Sequence, residues 1–138
     1  MNVSPPLNLA PAWGGAHVAH TTGKYAESLL TLGWAAEFAG IPIAVNSIWP
    51  ATTVASTGML AAMGEAEVRA QARSPRIMAD AILALVTREA AQCSGNFYTD
   101  AEILADEGIT ELSEYRLAAS EEDLVPNFYL DSSPLPAV

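Results

Sequence analysis

The chain has 138 residues, 51% of them apolar, a formal net charge of −10 and a single cysteine. That length suits one modest domain with its own core, and the apolar content excludes a disordered polymer. Six basic residues, four of them between Arg69 and Arg88, form no phosphate-tracking stripe, which excludes general nucleic-acid binding.

No apolar run approaches the ~20 residues needed to span a bilayer, so no membrane span is expected. No basic segment followed by a long apolar core marks a secretory leader at the start. Cys93 has no second cysteine to pair with, which makes a reducing cytoplasm the expected compartment. Ten of the sixteen acidic residues lie from Asp100 onward, and this third reads as solvated surface.

In chain order, residues 1–4 fit the end of a strand. Pro5, Pro6 and Pro11, with Gly14 and Gly15, then force a loop of irregular backbone. Leu7, Leu9 and Trp13 make that loop apolar, so it either covers a ligand or packs on the core. A helix is predicted over 17–38, because Val18, Tyr25, Leu29, Leu32 and Ala36 recur at helical spacing with Leu30 and Trp34 alongside. Its small residues Ala26, Gly33, Ala35 and Ala39 suit close approach by another helix. Gly40 ends it, and Pro42 prevents its resumption.

Residues 43–48 read as a strand buried on both faces, terminated by Trp49-Pro50. The segment 51–58 is small and hydroxyl-rich, with Thr52, Thr53, Ser56 and Thr57. Its hydroxyls and free amides suit a ligand's amide or phosphate, or else it is a solvated turn into a short helix over 59–72. Ser74 is the expected N-cap of a further helix with Pro75 at its first position, and Ile77, Ala81, Ile82, Leu85 and Val86 form its core stripe. Cys93-Ser94-Gly95 breaks that helix, and 95–99 is a short strand. Asp100 is expected to cap a short helix ending near Gly108. From about residue 110 the chain is an acidic tail of weak periodicity, anchored by Phe128-Tyr129-Leu130 before Pro134 and Pro136.

Strand, helix, strand, helix, strand implies an α/β fold with a parallel sheet and right-handed crossovers. Ligands of such sheets bind beyond the carboxyl ends of the strands. Ser4, the Pro50–Thr57 segment and the start of the first long helix converge there. That start contains Lys24, the only lysine of the chain. His20 stands one helical turn before it on the same face. Two readings are open: a site pairing an imidazole with an ammonium, or an exposed face carrying one solvated lysine. His17 and His20 have metal-ligand spacing, but no Cys or further His completes a set, so no metal centre is expected. Cys93 reads as a small buried residue rather than a nucleophile.

In order along the chain these segments resemble the C-terminal half of a short-chain dehydrogenase/reductase, most closely the hydroxysteroid dehydrogenase-like branch. The resemblance is carried by Asn2-Val3-Ser4-Pro5-Pro6-Leu7, by His20-Thr21-Thr22-Gly23-Lys24 at the family's Tyr-x-x-x-Lys positions, and by Asn46-Ser47-Ile48-Trp49-Pro50. Ser94-Gly95-Asn96-Phe97 and Asp106-Glu107-Gly108-Ile109 also fit. It implies a partial Rossmann-like, doubly wound parallel sheet without the nucleotide-binding half. It implies one unit over 1–138, NAD or NADP as cofactor, and a small carbonyl or alcohol substrate. Ser4, His20 and Lys24 would be the catalytic set, and Lys24, Pro50, Thr52 and Thr53 the cofactor contacts.

The sequence departs from that family in two respects. No Gly-rich phosphate cradle follows a strand in it. The family's catalytic tyrosine is His20, and Tyr25 lies elsewhere on the helix. In the family's reaction a side chain exchanges the hydroxyl proton as hydride passes between nicotinamide and carbon. An imidazole titrates near ~6.5 and a phenol near ~10, so histidine suits proton acceptance better than donation near neutral pH. A weak or inactive oxidoreductase is therefore expected. The alternatives are a non-catalytic oligomerisation module built on the face around Gly33, a chain that pairs with a separate N-terminal half, or a truncated gene product.

Overall fold

A computed structural model of the chain describes residues 1–134. Pro136 of the expected tail lies outside the described residues. Three short strands form one parallel sheet in the order β1-β2-β3: β1 (Asn2–Val3), β2 (Ser47–Trp49) and β3 (Phe97–Thr99). Asn2 is in register with Ser47, and Ser47 with Phe97. The α/β class and the parallel sheet are as the sequence implied. The strands are shorter. Ile43 is 48% exposed, and the middle strand starts at Ser47 and takes in Trp49 instead of ending before it.

The helices between β1 and β2 are α1 (Pro11–Ala16) and α2 (Val18–Glu37). Between β2 and β3 come α3 (Thr57–Met63), α4 (Glu65–Arg69) and α5 (Arg76–Val86), and α6 (Asp100–Asp106) follows β3. One helix was expected over 59–72. Gly64 divides it, with a φ of 91° that a side chain rarely adopts. Ser74 is not the N-cap of α5: the helix begins one residue later than expected, Pro75 holds the cap position without a side-chain cap, and Ser74 Oγ accepts from Arg76 N at 3.3 Å. The cap of α6 is Thr99 and not Asp100. Thr99 and Glu102 form a reciprocal capping box, and Asp100 is the first helical residue, buried.

The main core gathers Ile48 of β2, Ile77, Ala81 and Leu85 of α5, Ile103 and Leu104 of α6, and Tyr115. Here the apolar stripe read from the sequence faces inward except at Val86, which is 57% exposed. On α2 it does not. Thr21, Ser28 and Thr31 are its buried residues, while Val18, Leu29, Leu30, Leu32 and Trp34 are exposed. The cause lies in what α2 packs on. The Pro-rich segment is loop up to Ala10 and the short α1 after it, and the carbonyls of a loop and of a helix's last turn need donors. Thr21 Oγ1 donates to Trp13 O at 2.9 Å, and Ser28 Oγ donates to Pro5 O at 2.7 Å. Asn2 of β1 reaches across to Thr31 Oγ1 at 2.8 Å. A polar face therefore turns inward, and the apolar face is left outside as a shallow groove of about 550 Å³ lined by Ala26, Leu29, Leu30, Gly33, Trp34 and Glu37. No helix among the described residues is long and apolar enough to cross a membrane.

Candidate functional site

Lys24 projects from α2 to the end of β1. Its Nζ donates to Val3 O at 2.9 Å and to Glu27 Oε2 at 2.9 Å, and it lies 5.8 Å from the centroid of the Trp49 ring. One side chain thus touches the ends of β1 and β2. The fully solvated lysine is not what the fold shows, since Lys24 is only 25% exposed. An ammonium has three hydrogens, and two are engaged here.

Ser4 follows Val3 and is buried. Ser47 Oγ donates to Ser4 O at 2.5 Å, and the two hydroxyls lie 2.7 Å apart. With the Ser47 hydrogen spent on the carbonyl, Ser4 Oγ must be the donor to Ser47 Oγ. The Ser4 hydroxyl is therefore turned into the sheet towards Ser47. Ser47 is the partner that a motif reading misses, because its place in β2 opposite the first strand appears only once the register is known.

His20 is an exposed residue at the start of α2, one turn before Lys24. Its ring stacks on Tyr129, with centroids 6.1 Å apart and planes inclined at 19°. Partial burial holds its pKa below 6.5, and the charges of Lys24 and His17 act in the same direction against a smaller opposing pull from Glu27. Tyr25 points away, as expected: its hydroxyl donates to Asn8 O in the Pro-rich loop, and burial raises its pKa.

The loop after β2 differs from the expectation of free amides. Ala51 N donates to Asp100 Oδ1 at 2.8 Å, Thr53 N to Val125 O at 2.8 Å, and Ala55 N to Arg73 O at 2.9 Å. Pro50 stands between Trp49 and this pinned segment, and Thr52 pairs with Pro126 in an isolated antiparallel bridge. These amides hold the loop to the first residue of α6, to the tail and to Arg73. Thr52 Oγ1 is instead a buried hydroxyl with no partner among the described residues. That orphan suits a polar ligand group such as a carboxamide.

Above this end of the sheet sits an aromatic cluster in which Tyr129, expected only as a tail anchor, joins Trp13 of the apolar Pro-rich segment and Trp49 of β2. Trp13, Trp49 and Tyr129 are buried together with Tyr25 against them, and Trp49 Nε1 donates to Phe128 O at 2.9 Å. A cleft of about 280 Å³ beside it lies between Pro6–Asn8, Phe97–Thr99 and Tyr129–Asp131. Among the described residues no group of three His, Cys, Asp or Glu side chains is placed to hold a metal. Cys93 is a buried free thiol.

This geometry is similar to part of the short-chain dehydrogenase fold. Over 94% of its length the chain superposes on 46% of a protein from Xanthomonas campestris assigned as a dehydrogenase, with a TM-score of 0.82 and 44% identity. It covers 46% of a short-chain dehydrogenase from Mycobacterium thermoresistibile, with a TM-score of 0.81 and 32% identity. The resemblance lies, as the ordered motifs implied, with the hydroxysteroid dehydrogenase-like branch. The chain is 42% identical over 134 residues to hydroxysteroid dehydrogenase-like protein 2 of Xenopus laevis, and 39% identical to that of Homo sapiens. It spans 97% of its own length in both matches but only 31% of theirs, so it corresponds to about a third of these relatives. No family model matches the chain.

Proposed function

We propose that this chain supplies the proton-transfer face of an NAD(P)-dependent short-chain oxidoreductase acting on a small carbonyl or alcohol compound. The placement of Lys24 carries the reading. It ties the strand end that precedes Ser4 to Trp49, whose next residues are the Pro50–Thr53 loop. When bound, the dinucleotide supplies or accepts the hydride. Lys24, Pro50, Thr52 and Thr53 are the residues that would hold its nicotinamide end, and the partnerless Thr52 hydroxyl and the remaining Lys24 hydrogen fit that task. The adenosine and pyrophosphate are assigned to no residue of this chain, which spans under half of the solved relatives.

His20 takes the proton step. Held below its ordinary pKa, the imidazole is neutral at pH 7 and accepts the hydroxyl proton of an alcohol. As an acid for carbonyl reduction it is a poor donor at that pH. For Ser4 to orient the substrate oxygen, its hydroxyl exchanges Ser47 for the substrate. The single cysteine suits a reducing compartment such as the cytoplasm.

The test is alcohol oxidation measured with a complete nucleotide-binding half supplied. The rate rises with pH through a midpoint below 6.5 and then levels, and His20→Tyr gains ~10²–10⁴-fold. No gain from tyrosine overturns the role of His20. No exchange between pyridine nucleotide and any alcohol or carbonyl, in wild type or variant, overturns the oxidoreductase reading. The exposed apolar face of α2 adds self-association to this function, and it does not favour a purely non-catalytic module.

A further inference from the structure

Tyr129 is 1% exposed, and it is the one non-glycine among the described residues with a left-handed backbone, φ 69°. Such a conformation strains a residue bearing a β-carbon and persists only where the surroundings enforce it. Here they do. The Tyr129 ring lies 5.2 Å from Trp13, 5.4 Å from Tyr25 and 6.0 Å from Trp49, centroid to centroid. Its hydroxyl is 3.1 Å from Thr21 Oγ1, which donates its own hydrogen to Trp13 O. A carbonyl only accepts, so the phenol must be the donor to Thr21. This fixes the Tyr129 ring against the residue that follows His20. The same ring lies nearly parallel to the imidazole, within the range of favourable aromatic pairs.

The geometry points to Tyr129, brought from the far end of the chain, as the positioning residue that seats the His20 ring. The inference rests on the reading of His20 as the proton-transfer group. No hydrogen bond orients the imidazole among the interactions that set its protonation, so stacking is what limits its rotamers. The ionisable groups around it are Lys24 and Glu27 on the same helix, His17 at that helix's start, and the Tyr129 phenol, against which Tyr25 packs. The Tyr129 ring packs beside the imidazole, nearly parallel to it, while His20 stays exposed overall. That packing contributes to the burial that is the first cause of the lowered pKa. A tail segment thereby tunes a helix residue 109 positions earlier in the sequence.

Proton NMR of the full chain tests this, with His17→Gln used to assign the two histidines. In the wild type, a nuclear Overhauser contact joins the ring protons of His20 and Tyr129, and the His20 protons are shifted upfield by the aromatic ring. Tyr129→Phe preserves the contact, the shift and the midpoint. Tyr129→Leu abolishes the shift and raises the His20 midpoint towards 6.5. Absence of the contact in the wild type overturns the inference, and that measurement decides alone if the leucine variant does not fold. A folded Tyr129→Leu whose His20 shift and midpoint match the wild type also overturns it. The two readings fail separately. If His20→Tyr brings no gain in oxidation but Tyr129→Leu still frees His20, the seat stands and the catalytic role falls. If tyrosine gains and the leucine variant leaves His20 unmoved, only the seat falls.

Discussion

Replacing Asp100 separates a hydrogen-bonding role from the cost of a buried charge. Asp100 is 1% exposed. Its Oδ1 accepts from Ala51 N and from Ala101 N, each at 2.8 Å, while Oδ2 is buried without a partner among the described residues. Burial raises its pKa, against the lowering effect of those two amides and of Arg73. Asp100→Ala strips the acceptor from Ala51 N and frees the loop that carries Thr52 and Thr53. An orphaned buried donor costs ~1–3 kcal/mol, a large share of the ~5–15 kcal/mol that stabilises a domain. Asp100→Asn keeps an acceptor oxygen and removes the charge, so at pH 7 it should lie within ~1 kcal/mol of the wild type. The pH dependence gives the decisive sign. A carboxyl whose folded pKa is raised binds more protons in the folded state. Its contribution to stability is therefore greatest below the unfolded pKa near 3.8 and declines as pH rises through the folded value. The stability of Asp100→Asn relative to wild type should grow from pH 3 to pH 7. Urea unfolding followed by tryptophan fluorescence measures both effects, with Trp49 two residues from Ala51. An Asp100→Ala variant as stable as the wild type would refute the latch. A gap between the asparagine variant and the wild type that stays constant with pH would refute the buried-charge argument.

His20 gives the opposite sign. Its folded pKa is lowered, so its contribution to stability is present above pH 6.5 and is lost as pH falls through the lowered value. His20→Gln should flatten that part of the stability profile in denaturant titrations at pH 5 to 7, and an unchanged slope counts against the stacked, partly buried ring. Lys24→Met removes a charge-assisted hydrogen bond to Val3 O and should cost ~1 kcal/mol in urea unfolding. It should also abolish any quenching of tryptophan fluorescence by NADH; full quenching in the variant removes Lys24 from the cofactor site. Leu30, 44% exposed in the α2 groove, is the place to test association: analytical ultracentrifugation should show a larger species for the wild type and a monomer for Leu30→Glu. A wild type that sediments as a monomer at all concentrations rules out that face as a self-association surface.

The sequence made the sheet and its class legible because alternation of strand and helix leaves few topologies. The α5 stripe was legible for the same kind of reason: a helix packed on a regular apolar surface shows its buried face as a period. α2 breaks that inference for a physical cause. Its partners are the Pro-rich segment, loop and short α1 together, whose carbonyls demand donors, and Asn2 of β1, so its buried face is Thr21, Ser28 and Thr31 and its apolar period marks the outside. Periodicity finds a helix but not the side it buries when the neighbour presents polar groups that need partners. The candidate site divides the same way. His20 and Lys24 share a helix, and their proximity follows from local spacing alone. Ser47 beside Ser4, Asp100 beneath Ala51 and Tyr129 over His20 are separated by 43, 49 and 109 positions, and no local pattern encodes those pairings. Each nevertheless left a trace that physical chemistry can reread. Asp100 is an acidic residue at a strand end, and Thr99 with Glu102 already supplied the cap that it was assigned. Phe128-Tyr129 is an aromatic pair in an acidic tail of weak periodicity, where solvated chain has no use for it. A residue whose local role is already filled, or whose type is out of place in its surroundings, is a candidate for a long-range one.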